Sequence, residues 1–160
     1  MHLRHIFVSP GHNYFGHHGQ PPGSHPLTEV PEVECVAGSG LRGDRFFDYK
    51  PDYKGQVTFF ALEVWLDLCT HFQILPETTS PGVFRRNLIT EGIDLNTLIG
   101  QEFDLQGVRF EGIAECTPCH WMDTAFHPGT WAALRGRGGL RAKVLSSGRL
   151  KTDACVVSHA

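Results

Sequence analysis

The sequence lacks a surplus of positive charge and a framework of paired cysteines. Its 14 basic and 17 acidic side chains give a formal net charge of −3, whereas nucleic-acid-binding domains carry a basic surplus. Its five cysteines are an odd number without framework spacing, which favours free thiols in a reducing compartment. These deficits exclude a generic nucleic-acid-binding domain and a disulfide-stapled secreted domain. Local clusters of basic residues are therefore expected to serve a smaller anion.

Long apolar runs are also missing. The longest one, residues 57–69, is interrupted by Glu63 and Asp67, and a membrane helix needs about 20 apolar residues. The first residues, Met1 to His5, lack the apolar core of a signal peptide. We therefore expect no membrane contact and a cytoplasmic location. The length of 160 residues fits a single domain, with a strand and a loop rich in His, Pro and Gly in 1–32 and a core in 33–157.

Short segments that alternate between apolar and polar residues dominate the chain. They predict strands, whereas a longer apolar periodicity predicts one amphipathic helix over residues 62–72 and shorter helical turns over 94–99 and 131–135. Many short strands with few helices favour a mainly β (α+β) fold, a β-barrel with small helical insertions. The predicted strands are 3–9, 33–37, 56–61 and 87–90, a hairpin of 102–107 with 108–116, and 140–147 with 149–157 around a Ser-Gly turn.

The segment Cys116-Thr117-Pro118-Cys119 is the strongest chemical pattern. Such a motif serves zinc ligation, dithiol redox chemistry or the delivery of one reactive thiolate. A zinc site needs further ligands, and no spacing supports His120, Cys155 or His159 in that role. The motif is like the thioredoxin tetrapeptide but lies late in the chain. Buried cysteine acting as a small hydrophobe is the ordinary alternative, yet nearby prolines and cations favour an exposed, reactive loop.

Basic and glycine residues around this motif predict an anion site. Gly138-Gly139 permits backbone amides to turn inward, and arginines bind phosphate in bidentate fashion. Phe84-Arg85-Arg86-Asn87 resembles a clamp for an anion with amide-like edges, such as a pterin phosphate, and Gly43-Asp44-Arg45 resembles a tight turn with an ion pair. Solvated surface turns are the alternative for each segment. The candidate anion-binding residues are Arg45, Arg85, Arg86, Asn87, Arg137, Gly138, Gly139 and Arg141.

Residues 10–31 are rich in Gly, Pro and His and are long for a connecting loop. Such loops are more often functional than accidental. Their four histidines have no spacing typical of a metal site, and the adjacent pair cannot face one point from a regular strand. Metal binding and a titratable lid both stay open for His12, His17, His18 and His25.

Taken in order, these segments resemble the MOSC domain family, named for the C-terminal part of molybdenum-cofactor sulfurase. The resemblance covers residues 33–157 and implies a stand-alone, bacterial-type protein without a pyridoxal-phosphate-binding sulfurase domain. The segments that carry it are residues 40–45, 81–88, 91–94, 98–100, 116–119 and 138–139.

The resemblance implies a β-barrel-rich fold that binds the molybdenum cofactor, permanently or transiently, or carries sulfur as a cysteine persulfide. In the family's reductase members, the cysteine after proline ligates molybdenum, and Cys119 matches it. Cys119 is thus the expected catalytic residue and metal ligand. The implied functions are an oxotransferase or reductase of N-hydroxylated compounds, a cofactor carrier, a cofactor-free sulfur carrier, or a non-catalytic anion-binding module. The implied partners are a pyridoxal-dependent desulfurase or an electron-transfer reductase.

Overall fold

A computed structural model describes residues 1–154 of the chain. Strands dominate it, and its longest helix has 10 residues. No helix within this part is long and apolar enough to cross a membrane. The strands are β1 (His2–Val8), β2 (Thr28–Glu29), β3 (Glu32–Val36), β4 (Gly40–Leu41), β5 (Val57–Ala61), β6 (Leu88–Glu91), β7 (Glu102–Leu105), β8 (Val108–Glu115), β9 (Leu140–Val144) and β10 (Gly148–Lys151). The α-helices are α1 (Leu62–His71), α2 (Trp121–Ala125) and α3 (Thr130–Ala133), with single 3-10 turns at Pro76–Thr78, Pro81–Phe84 and Leu95–Leu98.

The strands form two sheets. A seven-stranded sheet has the order β2-β1-β6-β5-β9-β8-β7, and a three-stranded sheet has the order β10-β3-β4. Every pair of neighbours is antiparallel except β5 and β6, which α1 and the following turns connect. The prediction of a mainly β fold with few helices is confirmed. The predicted barrel is not, because β2 and β7 lie at opposite edges of the larger sheet and do not close it within residues 1–154.

The larger sheet buries apolar side chains on both faces. Because side chains alternate along a strand, Phe59 packs into one cluster with residues of the small sheet, such as Val33 and Leu150. The next residue, Phe60, packs on the other face with Trp65 of α1 and Met122 of α2. This helix-covered face is where the polar residues of the candidate site converge.

The structure also corrects one local prediction and adds one helix. The strand predicted to follow β9 around a Ser-Gly turn leaves that hairpin, because Gly148 to Lys151 pair with β3 in the small sheet; positions 155–157 of that prediction lie outside the described residues. Helix α2 was not predicted, since five residues are too few for a helical periodicity to stand out. The helix predicted at 62–72 and the hairpin of β7 with β8 are confirmed.

Candidate functional site

A cavity of about 270 Å³ opens on the helix-covered face of the larger sheet. Strands β5 and β9 form its floor, where Thr58 and Arg141 are paired in register. Because Leu140 and Ala142 point into the core between the sheets, the alternation of the strand turns Arg141 to the opposite face. The other walls come from the loop that follows β8, helix α2, the 3-10 turn before β6, the segment of residues 45–55 and the loop of residues 10–31.

Both cysteines of the Cys-Thr-Pro-Cys motif line this cavity as free thiols. Cys116 is buried, and its backbone nitrogen donates to the carbonyl oxygen of Gly139 over 2.7 Å. Cys119 is exposed, and its carbonyl oxygen accepts from the Met122 nitrogen over 3.1 Å at the start of α2. The motif therefore presents one sheltered thiol and one accessible thiol to the same space.

Arg45 is the most deeply buried cation of the cavity, with a side chain 9% exposed. It donates to Oδ1 of Asp44 over 3.1 Å and to the carbonyl oxygen of Arg85 over 3.0 Å. Burial lowers the pKa of Arg45, and Asp44 offsets part of that shift. Burial and the neighbouring Arg45 likewise lower the pKa of Arg85. Lowered arginine pKa values report crowded, poorly solvated positive charge, which an anionic ligand relieves.

Arg141 and Arg86 also line the cavity, but their surroundings differ. The Arg141 side chain makes no hydrogen bond or ion pair within the described part of the chain, so its guanidinium is available to a ligand. Arg86 instead donates to three backbone carbonyl oxygens, those of Gly138 and Cys116 over 3.0 Å each and that of Phe84 over 3.5 Å. Arg86 thereby holds the cysteine motif against the glycine segment.

Four of the predicted anion-binding residues lie outside the cavity. Arg137 donates to Asp67 and to the carbonyl oxygen of Ala133, and it lines a separate depression with Gly139. The Asn87 side chain is buried and hydrogen-bonded within the core: it accepts from the backbone nitrogen and the hydroxyl of Thr58 and donates to the Phe7 carbonyl oxygen. The expectation of one shared pocket therefore does not hold for Arg137, and the core position of Asn87 replaces its expected ligand contact.

The glycine pair acts in packing. The Gly138 amide donates to Oε1 of Glu115 over 3.2 Å, so it is not directed at a ligand. A Cβ atom on Gly138 would lie 2.4 Å from the Cys116 carbonyl oxygen, and one on Gly139 would lie 2.3 Å from that of Phe59. These glycines are required because two backbone segments approach closely. The backbone at Gly138 and Gly139, which was predicted to bind an anion through its amides, instead makes a close contact that positions Cys116.

Sequence reasoning missed several aromatic residues of the cavity. Phe46 and Tyr53 stack on each other with ring centroids 5.5 Å apart, and Tyr14 packs on Trp121 at 5.0 Å. The second contact joins the loop of residues 10–31 to helix α2, two residues beyond Cys119. The density of aromatic residues in 46–53 was a usable signal, but its partners come from distant parts of the chain.

The described residues do not support a zinc site at the cysteine motif or a metal site at the histidines of residues 10–31. Within 1–154, no three His, Cys, Asp or Glu side chains are grouped so that they could hold a metal ion. The His17 ring pairs with the Pro21 carbonyl oxygen over 2.9 Å, and the His120 ring packs on Trp131 with centroids 3.9 Å apart. Cys155 and His159, the other suggested zinc ligands, lie outside the described residues.

Comparison with known proteins places the chain in a family. The family model of the MOSC domain matches residues 56–157 of the sequence. Because this is more than half of the chain, the chain belongs to the MOSC domain family. No curated protein gives a significant match.

Solved structures agree on the fold. YiiM from Escherichia coli superimposes with a TM-score of 0.66 and 18% identity, covering 96% of this chain and 67% of that one. The YuaD protein from Bacillus subtilis gives a TM-score of 0.67 and 14% identity over 94% and 90% of the two chains. A hypothetical protein gives 0.66 and 17% identity over 96% of this chain, which spans 66%, slightly less than two thirds, of that neighbour. At such low sequence identities the likeness shows a shared fold and nothing beyond it.

Proposed function

We propose that the cavity binds the molybdenum cofactor and that the sulfur of Cys119 is a ligand of its metal. On this proposal the protein is an oxotransferase or reductase of N-hydroxylated compounds, or a carrier of the cofactor. One observation carries it: the exposed thiol of Cys119 and the unengaged guanidinium of Arg141 line the same cavity. A soft thiolate suits molybdenum, and a guanidinium suits a phosphate.

The donor set of the cavity fits such a group. A thiolate at Cys119 would supply one ligand to a metal whose other ligands belong to the cofactor. Arg45, Arg85 and Arg141 contribute positive charge, and buried Asp44 is a single nearby carboxylate that already accepts bonds from the Ser9 and Phe46 amides. The volume of about 270 Å³ lies just below the range of small-ligand pockets, about 300–1,000 Å³.

The residues have separate roles in this proposal. Cys119 holds the metal, Arg45 and Arg141 bind the phosphate, and Arg86 keeps the cysteine motif in place through its carbonyl contacts. The bound cofactor supplies two-electron oxygen-atom chemistry, which protein side chains lack. Tyr53 and Trp121 add aromatic surface to the lining of the cavity. If the protein acts as a reductase, its partner would be a separate electron-transfer reductase that supplies the electrons.

Molybdenum and pterin content test the proposal. The protein is produced in a host that makes the cofactor, and metal per chain is measured for the wild type and for Cys119→Ser. We expect molybdenum and pterin to copurify with the wild type and to be lost from the variant. Wild-type protein that carries neither, even after incubation with released cofactor, would contradict the proposal.

A second candidate function is favoured by the exposure of Cys119. The accessible Cys119 thiol, in a cavity that arginines also line, could attack the cysteine persulfide of a pyridoxal-dependent desulfurase and take its outer sulfur, which releases the desulfurase cysteine as a thiol; Cys119 would then pass this sulfur on for sulfuration of a metal–sulfur cluster or cofactor. Mass spectrometry after incubation with a desulfurase and cysteine would show one added sulfur on Cys119. A protein that carries neither molybdenum nor persulfide would instead be a non-catalytic anion-binding module.

A further inference from the structure

The imidazole of His12 lines the same cavity without a hydrogen-bond partner in the described part of the chain. Its Nδ1 atom is buried and unpaired. Buried polar atoms in native proteins nearly always have a partner, so each exception needs a physical explanation. Because Nδ1 is enclosed by protein, Nε2 is the nitrogen left to meet a molecule in the cavity.

The position of His12 is held from both sides along the chain. On one side, Nη2 of Arg85 donates to the Gly11 carbonyl oxygen over 2.9 Å. On the other side, the Asn13 amide donates to the His25 carbonyl oxygen over 3.0 Å and accepts from the His25 nitrogen over 2.8 Å. A residue between two such anchors loses little further entropy when it binds a ligand.

Three aromatic rings fix the plane of the imidazole. Their centroids lie 4.9 Å away for Phe46, 5.2 Å for Phe15 and 5.9 Å for Tyr49, with edge-to-face or tilted geometry. Such packing restricts the rotation of the ring. A histidine with a purely structural role would be expected to pair its nitrogens with the surrounding protein.

The charged groups around His12 disfavour the imidazolium form. Burial lowers the pKa of His12 first, followed by Arg45, with smaller effects in the same direction from Arg85 and His25, whereas Asp44 raises it. Without a ligand, the ring is therefore largely neutral near pH 7. An anion in the cavity would counter the same arginines and would raise the pKa of the ring. The added proton goes to Nδ1, and because that atom lacks an acceptor among residues 1–154 with or without the anion, its burial lowers the pKa in both states and leaves the direction of the shift unchanged.

We propose that His12 contacts the bound ligand, donating a hydrogen bond from Nε2 to an oxyanion and taking up a proton from solvent as the anion binds. This deepens the proposed function and rests on its anion site. It assigns the loop of residues 10–31 a part in recognition through one residue, with Arg45 and Arg85 as the cationic partners.

Linkage fixes the sign of the pH dependence. The anion raises the pKa of His12 above its value in the free protein, so the affinity increases as pH falls through the pKa of the complex. It levels off below the pKa of the free protein, where both states are protonated. Each unit of separation between the two pKa values changes the affinity about tenfold.

The test uses sulfate as the probe, because it stays a dianion between about pH 5 and 8, where histidine titrates. Sulfate affinity of the full chain is measured by calorimetry across that range for the wild type, His12→Asn and His18→Asn. His18 is the matched control, since it is exposed, lies on the same loop and lines the same cavity. In parallel, NMR of the imidazole nitrogens follows His12 in the wild type with and without sulfate.

We expect wild-type affinity to rise about tenfold toward low pH, the dependence to persist in His18→Asn, and most of it to disappear in His12→Asn. The His12 resonance should titrate at higher pH with sulfate present. Two results would overturn the role of His12 and leave the proposed anion site intact. One is sulfate binding whose pH dependence survives in His12→Asn, and the other is a His12 resonance that sulfate does not shift. A wild type that binds no sulfate at any pH would remove the anion site and, with it, both proposals. If His12→Asn does not fold, the wild-type resonance still decides the outcome.

Discussion

Arg86 donates from Nη2 to the carbonyl oxygen of Cys116 over 3.0 Å, across a sequence separation of 30 residues. The same guanidinium donates from Nε to the Gly138 carbonyl oxygen. One side chain therefore joins the cysteine motif to the glycine segment that follows α3. The geometry of the thiols depends on a residue that does not need to touch the ligand.

Replacing Arg86 by Met should destabilise the protein and loosen the cysteine motif. The substitution retains most of the apolar volume but leaves part-buried carbonyl oxygens without donors, which costs about 1–3 kcal/mol. Urea unfolding would measure the loss, and alkylation would detect increased labelling of buried Cys116. Arg42→Met is the control, because Arg42 forms an exposed ion pair with Glu34. Equal stability of the two variants would argue against the role of Arg86.

Cys119 should be the thiol that alkylates first at neutral pH. It is exposed, whereas burial raises the pKa of Cys35 to about 12 and also raises that of Cys69. Since the thiolate is the nucleophile, peptide mapping after brief iodoacetamide treatment should find label on Cys119 before either of them. Earlier labelling of Cys35, of Cys69, or of Cys155, which lies outside the described residues, would refute the assignment.

Cys119→Ser should abolish molybdenum retention or persulfide formation while the fold stays intact. A hard hydroxyl is a poor substitute for a soft thiolate, and its volume is similar. Cys116→Ala should have the smaller functional effect and the larger effect on the thermal midpoint, because Cys116 is buried. Metal content, sulfane sulfur and thermal midpoint are measured for both. Equal loss of function in the two variants would indicate that both cysteines act together, as in a dithiol redox pair.

Arg141→Met should weaken sulfate binding by roughly tenfold or more, since a hydrogen bond to a charged group contributes about 1.5–3 kcal/mol. Arg137→Met is a closely matched control: it removes the same charge from the same segment, but Arg137 faces Asp67 outside the cavity. Its sulfate affinity should stay close to that of the wild type. Calorimetry at one pH decides this, and the opposite ranking would place the anion site at the other depression.

The sequence determined the elements whose patterns are local. The helix predicted at 62–72 is observed at Leu62–His71, and the hairpin predicted around Gly107 is observed as β7 and β8. Each depends on residues a few positions apart, so periodicity and a turn residue are enough. The loop at Cys116 to Cys119 could also be predicted, because it contains proline and follows a predicted strand.

Only the tertiary structure decided which residues share the cavity. Arg141 enters it because the alternation of β9 turns that side chain away from the inter-sheet core, whereas Arg137 precedes Gly139, whose φ of 110° redirects the chain. Asn87 appeared equivalent to its arginine neighbours in the sequence, yet its amide bonds with Thr58 and Phe7 across the sheet. These outcomes depend on pairing between distant strands, which single-sequence patterns do not encode.

The loop of residues 10–31 shows the same division. Its composition indicated a functional loop rich in histidine, but no spacing distinguished His12 from His17, His18 or His25. The distinction arises when Arg85 and the aromatic residues near Arg45 meet this loop from distant parts of the chain. The sequence thus determined the local elements and the cysteine motif, whereas long-range packing decided which cations line the cavity with it and left the Nδ1 atom of His12 buried there and unpaired among the described residues, because burial and proximity are properties of the folded chain.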